Sequence, residues 1–227
     1  MDVMAHRGAS LTHPENSLAA FRAAIEVGAD AVELDVRRTA DEVLVVFHDA
    51  HLADGRMLAD VEAAELDKSI PTLAEALEVC SSICTNVEVK NLPGDPDYDP
   101  DNLISVAVAG LIGAHQATQR VIVSSFNTGS LLRLRSESPE IPLAWIVWGQ
   151  ADPRSLLERA AGVGVNAIHP HDLLVDARFV AAAHDLGMAV NVWTVNDPLR
   201  IRELATFGID GVMTDDPAMA VRVLAEG

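Results

Sequence analysis

The sequence predicts an α/β fold, specifically a (β/α)₈ TIM barrel with an extra hairpin strand after strand 2 and a short insertion. Eight short β-rich segments alternate with helical segments along 227 residues, a length typical of this fold. No linker, low-complexity tract or short-period repeat interrupts the alternation. We therefore expect residues 1–227 to form a single domain. A doubly wound open sheet is the alternative arrangement.

Each strand is predicted from a short apolar or β-branched run bounded by turn residues. In chain order these runs cover residues 3–5, 31–36, 86–89, 121–125, 143–147, 165–168, 189–193 and 211–213. The intervening helical patterns cover residues 17–27, 73–80, 103–113, 130–136, 153–161, 177–186, 198–207 and 217–225. Residues that favour a helix start precede three of them, namely Thr72, Asp152 and Asp197. Glycines that favour a helix end follow three, namely Gly28, Gly187 and Gly208.

The segment 31–49 departs from this alternation. Two strand-like runs are separated there only by a polar turn at residues 41–42, which predicts a β-hairpin. A turn centred at that point places His48 opposite Asp35. Because side chains alternate along a strand, Glu33 and Asp35 share one face, with apolar residues on the other.

The strongly acidic composition argues against two classes of binding partner. Asp and Glu total 34 against 16 Lys and Arg, and the formal charge of −18 repels nucleic acid and anionic membrane surfaces. We expect no nucleic-acid partner and no stable membrane anchor.

The sequence lacks a basic leader and any run of about 18 apolar residues, which predicts a cytoplasmic protein. Cys80 and Cys84 are too few for a disulfide framework and are expected to be reduced. Nothing in the sequence predicts an oligomeric state.

Polar side chains gather at the ends of the first barrel strands and of the hairpin. They are His6, Arg7, Glu33, Asp35, His48, Glu88 and Lys90. In a barrel of this kind the carboxyl ends of the strands surround one mouth, so we expect these side chains to lie close together. Charged residues within apolar strands are costly unless they are paired or hold a metal ion. This clustering is the strongest functional signal in the sequence.

The residue types in this cluster fit a displacement at phosphorus. The carboxylates Glu33, Asp35 and Glu88, without clustered cysteine ligands, suit a hard divalent cation, Mg²⁺ or Ca²⁺, better than zinc. Two histidines at strand ends suit general acid–base catalysis near neutral pH. Arg7 and Lys90 supply the positive charge that an anionic phosphoryl group needs. Together these groups favour phosphoryl chemistry over acyl or hydride transfer.

The ordered motifs resemble the glycerophosphodiester phosphodiesterase family. They are HRG at 6–8, PEN at 14–16, ELD at 33–35, HD at 48–49, VEVK at 87–90, SSFN at 124–127 and WTVN at 193–196. The resemblance implies a TIM barrel with His6 and His48 as the acid–base pair. It implies one divalent cation bound by three ligands: Glu33, Asp35 and Glu88. It also implies phosphate contacts and an apolar wall for the glycerol carbons, from Arg7, Lys90, Phe126 and Trp193.

The same resemblance implies a small-molecule glycerophosphodiester substrate and a two-step reaction. The glycerol hydroxyl of the substrate attacks phosphorus and expels an alcohol, and water then opens the cyclic phosphate to give glycerol 3-phosphate. This chain departs from the family pattern at Ser17, where a threonine is usual. It also lacks the Arg-Thr-Thr-rich element and longer insertion that often follow the second histidine. The leaving alcohol is therefore not predicted.

Other functions stay open on the sequence alone. Related chemistry would serve a lysophospholipase D or a sphingomyelinase-D-like enzyme acting on lipid headgroups. A non-catalytic barrel would bind a metal and phosphodiesters without turnover. An unrelated sugar-phosphate enzyme would need a glycine-rich phosphate loop where this chain has TVNDP and MTDDP.

Individual residues near the predicted site also have alternative interpretations. Asn16 is either a helix cap or a substrate contact. Trp193 either faces the site or lies in the core. His169 and His171 end the sixth barrel strand, where a second metal site is the less favoured alternative.

Overall fold

The chain forms a ring of parallel strands surrounded by helices. The structure, a computed structural model, describes residues 1–149 and 152–226. Its strands are β1 Asp2–His6, β2 Ala31–Arg38, β3 Leu44–Val46, β4 Cys84–Val89, β5 Val121–Ser125, β6 Leu143–Val147, β7 Ala167–Pro170, β8 Ala189–Val192 and β9 Gly211–Thr214. Its α-helices are α1 Leu18–Glu26, α2 Leu73–Val79, α3 Leu103–Ala114, α4 Thr128–Glu137, α5 Pro153–Val163, α6 Ala177–Asp185, α7 Pro198–Phe207 and α8 Pro217–Ala225.

Eight of these strands close into a barrel. Hydrogen-bonded neighbours follow the order β1-β9-β8-β7-β6-β5-β4-β2, and parallel pairing of β1 with β2 completes the ring. The remaining strand, β3, pairs antiparallel with β2. Short 3₁₀ turns then lead to α2 and make up the short insertion. The predicted TIM barrel with an extra hairpin strand is confirmed, and the open-sheet alternative is wrong.

The hairpin has the predicted form, but its register differs by one residue. The Phe47 amide donates to the Asp35 carbonyl at 3.0 Å, so Phe47 rather than His48 faces Asp35. The turn is a three-residue loop, residues 40–42, in which Glu42 adopts a left-handed conformation with φ 66°. His48 therefore lies one residue further on, past the end of β3 and at the mouth of the barrel.

The two faces of β2 alternate as predicted. Leu34 and Val36 are fully buried in the apolar layer between barrel and helices, where Phe21 of α1 also lies. Glu33 and Asp35 occupy the opposite face. Burial of each large aliphatic side chain contributes about 1.5–3 kcal/mol. A slip of one residue would exchange the two faces, so this burial fixes which side the carboxylates occupy.

Polar side chains cap several helices where the sequence indicates a start. Thr72 forms a capping box at the start of α2, and Asp152 and Asp197 accept backbone N–H groups at the starts of α5 and α7. Each such cap contributes about 1 kcal/mol. Helix α4 begins earlier than predicted, at Thr128, because the Asn127 side chain accepts an amide of its first turn at 2.9 Å.

Strand β7 begins and ends later than predicted. Helix α5 ends at Val163, Gly164 caps it in a left-handed conformation, and the Val165 amide still donates to a carbonyl of that helix. The chain meets the sheet only after this cap: the Asn166 amide donates to the Leu143 carbonyl at 2.8 Å, and β7 begins at Ala167. Strand β7 then extends to Pro170 and places His169 beside Ile146 of β6. The predicted bounds 165–168 were wrong, and the shift brings His169 into the barrel, where it is fully buried.

Two further features bear on the sequence predictions. Across the described part of the chain, each helix is too short or too polar to cross a bilayer. Cys80 and Cys84 are both free thiols, as predicted. Burial raises the pKa of the Cys80 thiol to about 11, so it stays protonated and unreactive at neutral pH.

Candidate active site

A cavity at the carboxyl ends of the barrel strands collects the predicted site residues. Its volume is about 210 Å³. Its lining includes His6, Arg7, Glu33, His48, Glu88, Lys90, Phe126 and Trp193. Asp35, the remaining predicted residue, is buried against Glu33 and Glu88. The structure therefore brings all the predicted site residues together.

Strand register explains why the site residues on β1, β2 and β4 lie next to one another. His6 on β1 is the partner of Glu33 on β2, and Asp35 on β2 is the partner of Glu88 on β4. Partners on adjacent strands project to the same face of a sheet. Residues that are 27 or more positions apart in the chain thus become neighbours without any irregular backbone.

A left-handed turn after β1 directs Arg7 onto this cluster. Arg7 and Gly8 have φ values of 57° and 81°. A side chain at Gly8 would approach Ala20 of α1 to 2.7 Å, so only glycine fits. The Arg7 amide donates to Glu33 Oε2 at 2.9 Å, and Arg7 Nε lies 3.2 Å from Asp35 Oδ2. The HRG sequence is therefore the turn that attaches Arg7 to two acidic residues.

The buried carboxylates Glu33, Asp35 and Glu88 each offer an oxygen within 4.8 Å of the others. Burial and the neighbouring Asp35 charge raise the pKa of Glu33 to about 8, and burial also raises the pKa of Glu88. Burial acts to raise the pKa of Asp35 too, but the charges of Lys90 and Arg7 outweigh it and lower that pKa. Carboxylates this close repel one another unless a cation lies among them. The donor set fits a hard divalent ion bound through oxygen.

Lys90 supplies a second positive group beside the carboxylates. Its Nζ lies 2.8 Å from Glu88 Oε1 and 3.6 Å from Asp35 Oδ1. The same nitrogen lies 5.9 Å from the centre of the Phe126 ring, at the cavity wall. Arg7 and Lys90 thus border the acidic cluster and the cavity together, as a phosphate contact requires.

The PEN segment supports the carboxylates. Asn16 Nδ2 donates to Asp35 Oδ2 at 2.8 Å, and Asn16 Oδ1 accepts from the Asp35 amide at 3.2 Å. Glu15 accepts from Arg7 Nη1 at 3.0 Å. Ser17, rather than Asn16, caps α1. The helix-cap interpretation of Asn16 was therefore wrong, and its buried side chain holds the Asp35 carboxylate in place.

His6 is held by an acidic residue from the far end of the chain. His6 Nδ1 lies 2.7 Å from Asp215 Oδ1, and Asp215 also accepts from Ser10 Oγ at 3.2 Å and Asn196 Nδ2 at 2.6 Å. Burial lowers the pKa of His6, but the hydrogen bond to Asp215 and the charge of Glu33 outweigh it, so the pKa is raised. Because Nδ1 is engaged, Nε2 is the ring nitrogen available to a bound substrate.

His48 lies on the more open side of the cavity. Its Nδ1 lies 2.7 Å from Asp49 Oδ1, and its carbonyl accepts from Arg37 Nε at 2.8 Å. Arg37 is anchored in turn by both oxygens of Asp97, at 2.7 and 2.6 Å. The His48 side chain is 33% exposed, against 18% for His6. It also lines a second, adjacent cavity of about 380 Å³.

Phe126 and Trp193 form one wall of the main cavity. Their ring centroids lie 5.6 Å apart with an interplanar angle of 87°, an edge-to-face contact. Trp193 Nε1 donates to the His169 carbonyl at 2.8 Å, which fixes the indole orientation. Trp193 therefore lines the cavity, and it also packs against the small apolar cluster of Met4, Ala31 and Met213.

Sequence reasoning did not assign a role to two other polar residues of the site. Asp215 directly follows β9, and its position after a strand was the available signal. Asn86 lies two residues before Glu88, on the same face of β4, and side-chain alternation was the signal there. The sequence alone does not show that Asp215 reaches His6, because that contact depends on closure of the barrel.

The second metal site considered at His169 and His171 is not supported. His171 Nδ1 accepts from a backbone amide two residues on, at 3.3 Å. The nearest carboxylate in sequence, Asp172, is paired with Arg200 Nε at 2.7 Å. In the ranges 1–149 and 152–226, the Glu33 cluster is the group whose geometry suits a metal ion.

A barrel with this site has the features of a hydrolase acting on phosphate esters, since acidic ligands, two histidines and two cationic groups meet at its mouth. The family profile of the glycerophosphoryl diester phosphodiesterase family matches residues 6–219. The chain belongs to that family and is a phosphoric diester hydrolase.

Relatives match the chain along nearly its whole length. It is 31% identical over 251 residues to a glycerophosphodiester phosphodiesterase of Bacillus altitudinis, covering 99% of this chain and 98% of that protein. It is 29% identical over 250 residues to one of Caldanaerobacter subterraneus subsp. tengcongensis, with coverage of 99% and 98%. A phosphodiesterase of Oleispira antarctica, solved in complex with the product sn-glycerol-3-phosphate, superposes with a TM-score of 0.89 at 28% identity, covering 99% and 97% of the two chains.

Proposed function

We propose that this chain hydrolyses glycerophosphodiesters to glycerol 3-phosphate and an alcohol and requires one divalent cation, Mg²⁺ or Ca²⁺. The observation that carries the proposal is the meeting of three buried carboxylates and two histidines at one cavity. Two comparisons support it. The relatives share the name glycerophosphodiester phosphodiesterase, and the Oleispira antarctica enzyme was solved with sn-glycerol-3-phosphate.

We also propose that residues 1–227 act as one phosphodiesterase domain. Support comes from the pairing of β1 with β9, which joins the two ends of the chain within the barrel. The contact between His6 and Asp215 crosses the same seam. A catalytic group and its hydrogen-bond partner thus depend on the whole ring being closed.

Glu33, Asp35 and Glu88 are the proposed metal ligands. Glu33 Oε1 is buried and has no hydrogen-bond partner within the described residues, which suits an oxygen that holds a cation. The Arg7 amide and Asn16 fix the orientation of Glu33 and Asp35. A bound Mg²⁺ or Ca²⁺ would supply positive charge to the phosphate oxygens and to the attacking hydroxyl.

His6 is the proposed base of the first step. Its Nε2 takes the proton of the glycerol 2-hydroxyl, whose oxygen bonds to phosphorus while the bond from phosphorus to the departing alcohol breaks. Asp215 holds the proton on Nδ1 and stabilises the imidazolium that forms. Arg7 and Lys90 bind the phosphate oxygens as their negative charge increases.

His48 is the proposed acid of the same step. It gives its proton to the departing alcohol, for which the adjacent cavity of about 380 Å³ offers room. The two roles reverse in the second step. His48 takes a proton from the water that attacks the cyclic phosphate, and His6 returns its proton to the 2-oxygen. The product is glycerol 3-phosphate, and both imidazoles regain their starting states.

Release of glycerol 3-phosphate from glycerophosphocholine and glycerophosphoethanolamine tests the function. We expect release with Mg²⁺ or Ca²⁺ and none with EDTA, because the bare carboxylates repel the phosphodiester. An assay coupled to glycerol-3-phosphate oxidation measures it. No release with any metal, while metal still raises the melting temperature, would contradict the substrate class. No release and no effect on the melting temperature would contradict the metal site.

The Asp215→Asn variant tests whether Asp215 supports His6 as the base of the first step. We expect kcat to fall about 10²-fold with KM nearly unchanged, because an amide does not stabilise the imidazolium that forms on His6. Asp49→Asn is the matched comparison. Asp49 is 72% exposed, so water screens its bond to His48, and kcat should fall less than about fivefold. Kinetics on glycerophosphocholine and melting temperatures of both variants measure this. An Asp215→Asn enzyme with wild-type kcat would contradict the positioning role.

A further inference from the structure

The closed end of the main cavity carries uncharged polar groups that the proposed reaction does not use. Asn86 of β4 and His169 of β7 both line the cavity and are 1% and 0% exposed. Considering only the described residues, Asn86 Nδ2, Asn86 Oδ1 and His169 Nδ1 have no hydrogen-bond partner. Buried polar groups in folded proteins are nearly always hydrogen-bonded. These three atoms therefore indicate a polar ligand.

Strand register places Asn86 deeper than the carboxylate of Glu88, and His169 is fully buried on the opposite side of the barrel. Asn86 precedes Glu88 by two residues on the same face of β4 and is the partner of Glu33 on β2. His169 is the partner of Ile146 on β6. Ile146 and Met213 also line the cavity. Two fully buried polar side chains thus lie among apolar lining residues, whereas the His48 side chain of the same cavity is 33% exposed.

His169 is held so that one ring nitrogen is left for a ligand. Asn191 Nδ2 lies 3.0 Å from His169 Nε2, and with the amide donating to Nε2 the ring proton is on Nδ1. Gly211 makes this contact possible, because a Cβ there would lie 2.6 Å from Asn191 Oδ1. Burial lowers the pKa of His169 to about 3, so the ring is uncharged at neutral pH.

We propose that Asn86 and His169 form a subsite that binds the terminal hydroxyl of the glycerol moiety and so selects glycerol esters over esters of simpler diols. The inference rests on the proposed function. Asn86 offers an acceptor oxygen and an amide nitrogen with two N–H groups, and His169 offers one further N–H group. A hydroxyl group donates once and accepts up to twice, so it can accept from both side chains and donate to Asn86 Oδ1. Two uncharged side chains suit a hydroxyl rather than a phosphate or a cation.

The position of the subsite agrees with the two halves of the substrate. The glycerol half is constant and small, and it fits the main cavity, whose apolar walls include Phe126 and Trp193. The departing alcohol varies, and it fits the more open side near His48. The attacking 2-hydroxyl then lies between the carboxylate cluster and the terminal hydroxyl held by Asn86 and His169.

The test compares glycerophosphocholine with its analogue in which propane-1,2-diol replaces glycerol. The analogue keeps the attacking hydroxyl and lacks the terminal one. We expect wild-type kcat/KM to be about 10²-fold lower for the analogue, since the buried polar atoms then lose their partner. In Asn86→Ala and His169→Phe, kcat/KM should fall about tenfold or more for glycerophosphocholine and less than about twofold for the analogue. The rise in melting temperature with Mg²⁺ should persist in both variants.

Ser124→Ala is the matched control. Ser124 Oγ is also buried and has no hydrogen-bond partner in the described ranges. Unlike Asn86 and His169, Ser124 is not among the residues that line the main cavity within those ranges. In Ser124→Ala the ratio of kcat/KM for glycerophosphocholine to kcat/KM for the analogue should equal that of the wild type. If kcat/KM falls equally for both substrates in Asn86→Ala and His169→Phe, these residues have a structural role and the subsite is overturned.

Two further outcomes separate the subsite from the proposed function. If the wild type hydrolyses both substrates equally well, internal water satisfies the polar atoms and the subsite is wrong, while the proposed function stands. If the wild type releases no glycerol 3-phosphate from glycerophosphocholine, the proposed function itself fails. If the variants do not fold, the wild type can be titrated calorimetrically, in the presence of Mg²⁺, with sn-glycerol 3-phosphate and with 2-hydroxypropyl phosphate. The subsite predicts tighter binding of sn-glycerol 3-phosphate. Equal affinities would overturn the subsite.

Discussion

Replacing Glu33 with glutamine is expected to abolish metal-dependent hydrolysis and, at the same time, to stabilise the metal-free protein. The loss of one of three proposed ligands should lower kcat/KM by at least about 10³-fold. The gain in stability follows from the electrostatics of the site. Burial and the charge of Asp35 raise the pKa of Glu33 to about 8, so the ionised form is unfavourable in the folded state. Glutamine has nearly the same shape and no charge.

The stability gain has a definite pH dependence. Between the ordinary glutamate pKa of 4.5 and the raised value of about 8, the folded state binds more protons at Glu33 than the unfolded state does. The free energy of unfolding of the wild type therefore falls as pH rises through this window. Glutamine does not titrate. The advantage of Glu33→Gln in EDTA should grow from about pH 5 to about pH 8 and reach on the order of 2 kcal/mol.

Chemical denaturation in EDTA at several pH values measures the stability difference, and melting temperatures with added Mg²⁺ or Ca²⁺ measure metal binding. Metal should raise the melting temperature of the wild type and leave that of Glu33→Gln unchanged. Glu78→Gln, the same substitution at an exposed position of α2, is the control and should behave as the wild type. A Glu33→Gln protein that metal still stabilises would remove Glu33 from the ligand set. One that is less stable than the wild type in EDTA at high pH would contradict the raised pKa.

The fold was predictable because its signals are local. Alternation along β2 sets Leu34 and Val36 against the helices and Glu33 and Asp35 on the opposite face, and that pattern is visible in the sequence. The hairpin register was missed by one residue, because it depends on Glu42 adopting a left-handed conformation in a three-residue loop. Backbone geometry of that kind has no clear sequence signal when the residue is not glycine or asparagine.

The candidate site was predictable only in part, because some of its residues have no signal in the sequence. His6, Glu33 and Glu88 carry charge or an imidazole at strand ends, which is unusual enough to attract attention. Asp215 carries a common residue type in a common position, and its function comes from a partner 209 residues away. Asn86 was missed because a neutral amide in a strand suggests no chemistry. Its significance comes from burial with no hydrogen-bond partner among the described residues, a property that exists only once the barrel closes.

The variants His48→Ala and His6→Ala are expected to fail in different ways. Loss of either imidazole should lower kcat on glycerophosphocholine about 10³-fold, within the usual range of general acid–base catalysis. A 4-nitrophenyl ester of glycerol 3-phosphate has a leaving group that departs without a proton. With that ester His48→Ala should release nitrophenol within about tenfold of the wild-type rate. His6→Ala should stay slow, because the attacking hydroxyl has lost its base whatever the leaving group.

The reaction product distinguishes the two histidines further. In His48→Ala the water of the second step has lost its base, so cyclic glycerol phosphate should accumulate as nitrophenol appears, and phosphorus NMR detects it. His115→Ala, at the end of α3, is the control and should show no accumulation. Accumulation in His6→Ala instead would exchange the two assignments, and none in either variant would contradict the route through a cyclic phosphate. The difference is expected because Asp215 holds His6 on the buried side while His48 borders the cavity open to the departing alcohol.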